Sequence, residues 1–190
     1  KMHDIIVMPP KVDNLQSNFN IKNGNIYFGL QDVKYIGESQ VEKVISGIKA
    51  IEEKYGQEIK DISWYRILIN LADKINSNAM LALISIGALN SDYTISRNKM
   101  LYEFETWSSL TKKEKEWVLT NCDQPTDLFP ERGNKGLETA LERLSPTKKE
   151  GGGTHNAKRK DIVKDLLELL KNPPYELEDT PDWIATEEHK

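Results

Sequence analysis

Six consecutive residues, Lys34-Tyr35-Ile36-Gly37-Glu38-Ser39, have the types and spacing for anion chemistry in this 190-residue chain. A short apolar element, a tight turn with glycine and then a helix N-terminus is an arrangement that holds a phosphate with the backbone. The N–H groups of the turn and of the first helical turn point at the anion, and the helix dipole adds about 0.3–1 kcal/mol for a nearby negative charge. Lys34 supplies a counter-charge and Ser39 a hydroxyl, so the candidate contacts are Lys34, Ile36, Gly37, the backbone of Glu38, and Ser39. A helix–hairpin–helix unit uses an apolar residue between two small residues to make a tight hairpin whose N–H groups grip a DNA phosphate, without reading base sequence. The plain alternative is punctuation before a capped helix. A second cationic group, Lys148, Lys149, Lys158, Arg159 and Lys160, surrounds the glycine run 151–153. It reads either as a solvated loop or as a second phosphate-facing patch.

Other chemistries find little support. The three histidines, His3, His155 and His189, share no helical face, so a histidine metal site is not expected. Cys122 has no neighbouring histidine and reads as an unreactive thiol; a single cysteine also rules out an internal disulfide. No G-x-x-x-x-G-K-[ST] or G-x-G-x-x-G run is present. Asp4 and Asp13, flanking the first apolar run, are the nearest thing to a carboxylate pair for two-metal catalysis, but nothing places them together at strand ends. On residue content the chain reads as a binding or structural module.

The elements that must position the Lys34–Ser39 turn are legible on both sides. The run 4–8 (DIIVM), closed by Pro9-Pro10, predicts a buried strand. Alternating residues at 19–22 and 26–30 flank Asn23-Gly24, the strongest short hairpin signal, since both turn residues accept positive φ. Ser39 and Glu42 have capping-box spacing, with Ser39 as N-cap, ahead of an apolar stripe at Val41, Val44, Ile45, Ile48 and Ile51, and Gly56 is a natural C-cap. Further helices are expected over 62–75, capped by Asp61, over 78–86 and ended by Gly87, and over 97–107 with Met100, Leu101, Phe104 and Trp107 as the inner face. Thr111 and Glu114 form a second capping box. More helices are expected near 137–144 and 157–170, the last with a broad apolar face that could be core or a docking surface.

The fold class expected is therefore mainly α with a small N-terminal β-element. Three regions are expected: 1–107 with the β-hairpin and the helix–hairpin–helix-like segment, 108–172 as a helical extension with the Gly-rich basic loop, and 173–190 as an acidic connector. With 38% hydrophobic and 29% charged residues the chain reads as soluble and folded. No apolar run is long enough for a membrane span, no secretory signal opens the chain, and a cytoplasmic setting is expected. The opening residues look like a cut from a longer chain. The net charge of −4 is carried entirely by residues 171–190, which leaves the remainder neutral.

Three blocks, in order and at matching spacing, give a resemblance. IIVMPPKVDN at 5–14, FGLQDVKYIGESQVEKVI at 28–45, and NSNAMLALISIGAL at 76–89 followed by Arg97 are similar to segments of the alpha subunit of bacterial DNA polymerase III, a C-family replicative polymerase. The resemblance covers roughly residues 1–101; PDWIATEEHK at 181–190 is similar to the lead into the family's next conserved stretch. It implies a bacterial or phage member, with this chain at the end of the fingers and the adjoining helix–hairpin–helix region. It implies that the parent is a DNA-directed DNA polymerase whose Mg²⁺-binding catalytic aspartates lie in a palm domain N-terminal to this region, leaving no cofactor here. The implied partners are template–primer duplex, gripped without sequence preference, and other replisome subunits. A stand-alone DNA-binding domain and a replisome docking module are the rival readings. Two glycines of the family's pattern are Gln31 and Tyr35 here. The Cβ and ring of Tyr35 are expected to work against positive φ and close phosphate approach.

Overall fold

Asn23 and Gly24 take φ of 53° and 80°, the pair of positive angles that closes a two-residue hairpin. The turn joins β2 (Asn20–Lys22) to β3 (Asn25–Tyr27) as an antiparallel pair with Ile21 opposite Ile26. Strand β1 (Val7–Met8) adds to the other side of β3 in parallel, with Val7 opposite Ile26, so the sheet order is β1-β3-β2. In the computed structural model, residues 6–89, 95–112, 115–116, 119 and 178–188 are described. Among them the architecture is mainly helical with this small sheet at the N-terminal end, the fold class expected from sequence.

The sheet differs from expectation in one respect. The run at 4–8 is not a buried strand over its described part: Ile6 and Val7 are exposed and Met8 is half-buried. An edge strand of two residues is paired on one side only, and the sheet face it shares has nothing laid over it among the described residues. Register places Val7, Ile26 and Ile21 side by side on that face, and Phe19, Ile21 and Phe28 are exposed as well.

Helix α1 (Glu38–Tyr55) carries the core. Its Val41, Val44, Ile48 and Ile51 are buried, as the 3.6-residue period requires, while Ile45 is half-buried. Gly56 ends the helix at φ 62°, its N–H donating to the Glu52 carbonyl. Helix α1 packs on α2 (Trp64–Leu71), whose Trp64, Tyr65, Ile67, Leu68, Ile69 and Leu71 are all buried. The crossing is close at Gly47, where a Cβ would stand 2.7 Å from the Leu71 Cδ1. The start of α2 corrects the expected cap: Asp61 lies in a 3-10 turn over Ile59–Asp61, and Ser63 holds the N-cap position. Helix α3 (Ser77–Ser85) is capped by the Asn76 side chain, which accepts from the Ala79 N–H at 2.7 Å, and is followed by Gly87 at φ 70°. Helix α4 spans Arg97–Ser108, with Met100, Phe104 and Trp107 buried.

The chain divides into two compact units, Lys1–Phe104 with Leu177–Lys190, and Glu105–Glu176. In the first, residues 178–188 do more than link. They carry helix α5 (Pro181–Glu188), which packs on α3. Asp179 accepts the N–H groups of Arg97 and Asn98 at 2.8 and 3.0 Å, so the start of α4 is capped from more than eighty residues away. The Arg97 guanidinium, nearly buried, donates to the Ser85 carbonyl and to Glu188 Oε1, each at 2.9 Å. It lies so close over Gly87 that a Cβ there would stand 2.7 Å from Arg97 Nε. In the second unit, Lys112 and Glu116 are paired at 3.8 Å and the Lys115 ammonium sits 5.5 Å from the Trp107 ring centroid. The expected helices near 137–144 and 157–170, the glycine run 151–153 and Cys122 lie outside the described residues.

Candidate functional site

The turn at Lys34–Ser39 is built from its N-terminal side. Leu30 and Gln31 donate their N–H groups to the carbonyls of Gln16 and Ser17, at 2.8 and 3.1 Å. Gly29, just before them, crosses that backbone so closely that a Cβ would lie 2.3 Å from the Ser17 oxygen. A side chain at 29 would therefore force the Ser17–Asn18 backbone away from the turn. A single 3-10 turn over Leu30–Asp32 follows, with the Asp32 carboxylate accepting the Gly29 N–H at 3.0 Å. Leu30 is fully buried, and Ile36 after it is buried too. These two apolar anchors fix the ends of a hairpin whose middle residues, Lys34 and Tyr35, are exposed. The first helix of the helix–hairpin–helix pattern is thus reduced to one 3-10 turn, whereas the second is the 18-residue α1.

Tyr35 takes φ of 71°. The left-handed angle is adopted even though the Cβ of Tyr35 works against it. Leu30 and Ile36 are both buried, and the Ile36 N–H donates to the Val33 carbonyl at 3.1 Å, closing a turn in which Tyr35 holds the left-handed position. The hairpin imposes that conformation at a cost of about 1–2 kcal/mol for a residue with a Cβ. Tyr35 remains 62% exposed, so burial of its side chain offsets little of this. The Lys34 ammonium stands 5.1 Å from the ring centroid.

The helix start differs from the expected capping box. Gly37, at φ −75° and ψ 167°, is the N-cap, and its carbonyl accepts from Gln40 and Val41 at 2.8 and 3.1 Å. Ser39 lies inside the first turn instead, because the extended backbone needed at an N-cap falls two residues earlier. Gly37 brings no side chain to cap the turn, so the N–H groups of Glu38 and Ser39 face outward without intrahelical acceptors. Nothing among the described residues demands glycine at 37: its φ is ordinary and a Cβ would meet none of their atoms within 4 Å. What the missing Cβ does is leave the N–H end open to close approach from outside. Of the five hairpin candidates, Lys34, Gly37, Glu38 and Ser39 are exposed together at the turn, while Ile36 points inward as an anchor and can contribute only its backbone. The Glu38 carboxylate also sits in the first turn, where it favours the helix but opposes an incoming anion.

The other candidates do not join this site. Lys148, Lys149, Lys158, Arg159 and Lys160 lie outside the described residues, as do Asp4 and the three histidines. Asp13 stands in the turn Val12–Asn14, exposed, with its carboxylate 3.8 Å from Lys22 Nζ. No group of three or more His, Cys, Asp or Glu among the described residues could hold a metal ion. A cleft of about 240 Å³ lies between the Val12–Gln16 stretch and α1. Its rim mixes Lys49 and Lys60 with Asp13, Glu52 and Glu58, and Glu52 is engaged by the Ile59 N–H at 2.9 Å.

One polar pair escaped sequence reasoning. Glu103 is fully buried, and its Oε2 accepts the Trp64 indole N–H at 2.8 Å. Burial pushes the carboxyl up to about 7, against the opposing pull of Lys99, 3.9 Å away, and of the Trp64 hydrogen bond. Its partner is 39 residues away in sequence, and no local pattern links the two.

No helix among the described residues is long and apolar enough to cross a membrane. The family model for the helix-hairpin-helix motif matches residues 4–100, just over half of the chain. No curated protein matches it.

Proposed function

The chain belongs to the helix-hairpin-helix motif family, and from that premise we propose that it binds DNA through the Lys34–Ser39 turn, contacting phosphate and not bases. The observation that carries this reading is the open N-terminus of α1. The N–H groups of Glu38 and Ser39 open outward past Gly37, which puts no side chain in front of them, next to an exposed lysine, on a turn anchored by buried Leu30 and Ile36. Phosphate contacts of this kind are indifferent to sequence and weaken with salt.

Within that reading, the chain is a segment of a C-family replicative DNA polymerase that grips template–primer duplex beside the fingers and leaves phosphodiester chemistry to another domain. The support is the three-block resemblance at 5–14, 28–45 and 76–97, which extends over the same residues as the motif. The Mg²⁺ of such an enzyme would belong to the palm of the parent protein, and no residue of this chain is assigned to it. A stand-alone DNA-binding domain would use the same turn in the same way.

The test is a titration of labelled duplex DNA at two salt concentrations with the wild-type chain and Lys34→Glu. Wild-type affinity is expected to fall steeply with salt. The variant is expected to bind more weakly, with the logarithmic salt slope reduced by about 0.9 for the lost phosphate contact. Equal affinity and slope for the two proteins would exclude the turn.

A further inference from the structure

Tyr35 does not help the fold where it stands. Its backbone holds the left-handed angle that glycine adopts freely, and the residue is 62% exposed at the tip of the turn. Glycine or asparagine would close the same hairpin with less strain. The ring is also not isolated: the Lys34 ammonium rests 5.1 Å from its centroid. A planar ring beside a cation, held away from the body on a rigid turn, is the combination by which proteins take hold of unpaired nucleic acid. The base stacks on the ring and the cation follows the phosphate. In intact duplex the base faces are covered by their neighbours, and an aromatic ring finds no face to stack on.

We propose that Tyr35 is a specificity-determining residue that stacks on an unpaired base, giving the hairpin a preference for single-stranded DNA, or for the single strand next to a duplex end, over continuous duplex. This rests on the reading of the turn as a DNA contact and adds to it the form of DNA preferred. Ile36 and Leu30 hold the turn from inside, so the ring meets the strand without rearrangement of the core. The hydroxyl is not required for stacking, which sets phenylalanine apart from asparagine as a replacement.

The experiment compares the affinity of the full chain for an oligothymidine and for a blunt hairpin duplex of equal nucleotide count, at one salt concentration, by fluorescence anisotropy. The proteins are wild type, Tyr35→Asn and Tyr35→Phe. Asparagine accepts the left-handed angle, so the variant keeps the hairpin, and circular dichroism checks that it does. The ratio of single-strand to duplex affinity is expected to fall about tenfold or more in Tyr35→Asn, the scale of one base stacked on one ring, and to be retained in Tyr35→Phe. A ratio unchanged in Tyr35→Asn, or lowered equally in Tyr35→Phe, overturns the stacking role while leaving the phosphate reading in place. Wild-type protein that binds neither oligonucleotide overturns both.

Discussion

Replacing Glu103 by glutamine should make the protein more stable at neutral and alkaline pH. Its carboxyl is buried beneath the Trp64 indole, and burial lifts it from 4.5 to about 7. Between those values the folded protein holds a proton that the unfolded chain has released, so stability declines as pH rises through this window. The contribution is fully present below about 4.5 and gone above about 7. At about 1.4 kcal/mol per pH unit, the rise is worth about 3 kcal/mol. Glutamine places the same oxygen under the indole N–H and never ionises. Any constant offset from its extra amide N–H shifts the whole curve and leaves the slope untouched. Thermal melts of wild type and Glu103→Gln from pH 4.5 to 8.5 should therefore diverge. The difference in midpoint should move in favour of the variant by roughly 6–12 °C across the window, at about 2–4 °C per kcal/mol. Parallel curves over the whole range would refute the argument. They would mean that Lys99, 3.9 Å away, keeps the carboxylate charged in the folded protein.

Two further outcomes follow from the same geometry. Glu38→Gln removes a negative charge from the mouth of the proposed phosphate site; duplex affinity at low salt should rise about threefold, the effect of like charges ~7 Å apart in water, while the melting midpoint falls ~1–3 °C for loss of a favourable first-turn acid. Titration and melting of one variant check both signs. Asp179→Ala removes the remote cap of α4 and should cost about 0.5–2 kcal/mol; hydrogen exchange should quicken at the Arg97 and Asn98 amides and through 178–188, and unchanged protection there would show that the cap is dispensable.

What the sequence made legible was local. Asn23-Gly24 announced its hairpin because only positive φ closes a two-residue turn, and Gly56 and Gly87 marked helix ends for the same reason. The stripe of α1 and the span of α3 followed from periodicity. What was illegible was settled by contacts across the chain. Ser39 has the spacing of a capping box with Glu42, yet the hairpin sets the N-cap at Gly37. The apolar run at 4–8 looks buried until the two-residue edge strand is seen. Trp64 with Glu103, and Asp179 with the start of α4, join partners that no window of sequence contains. The turn itself was found by its glycine and its lysine. That Tyr35 takes a left-handed angle despite its Cβ shows only in three dimensions.

Gly29 has a consequence for how force would travel. Its backbone crosses that of Ser17 and Asn18 with no room for a methyl group, and the next two residues are bonded to Gln16 and Ser17. There is no compliant side-chain layer at that crossing to absorb a displacement. A load applied to the Lys34–Ser39 turn passes to the segment ahead of β2 through backbone contact, with no side chain between. Gly29 thus joins the end of β3 to the start of the hairpin at a point where residues 16–18 touch it backbone to backbone.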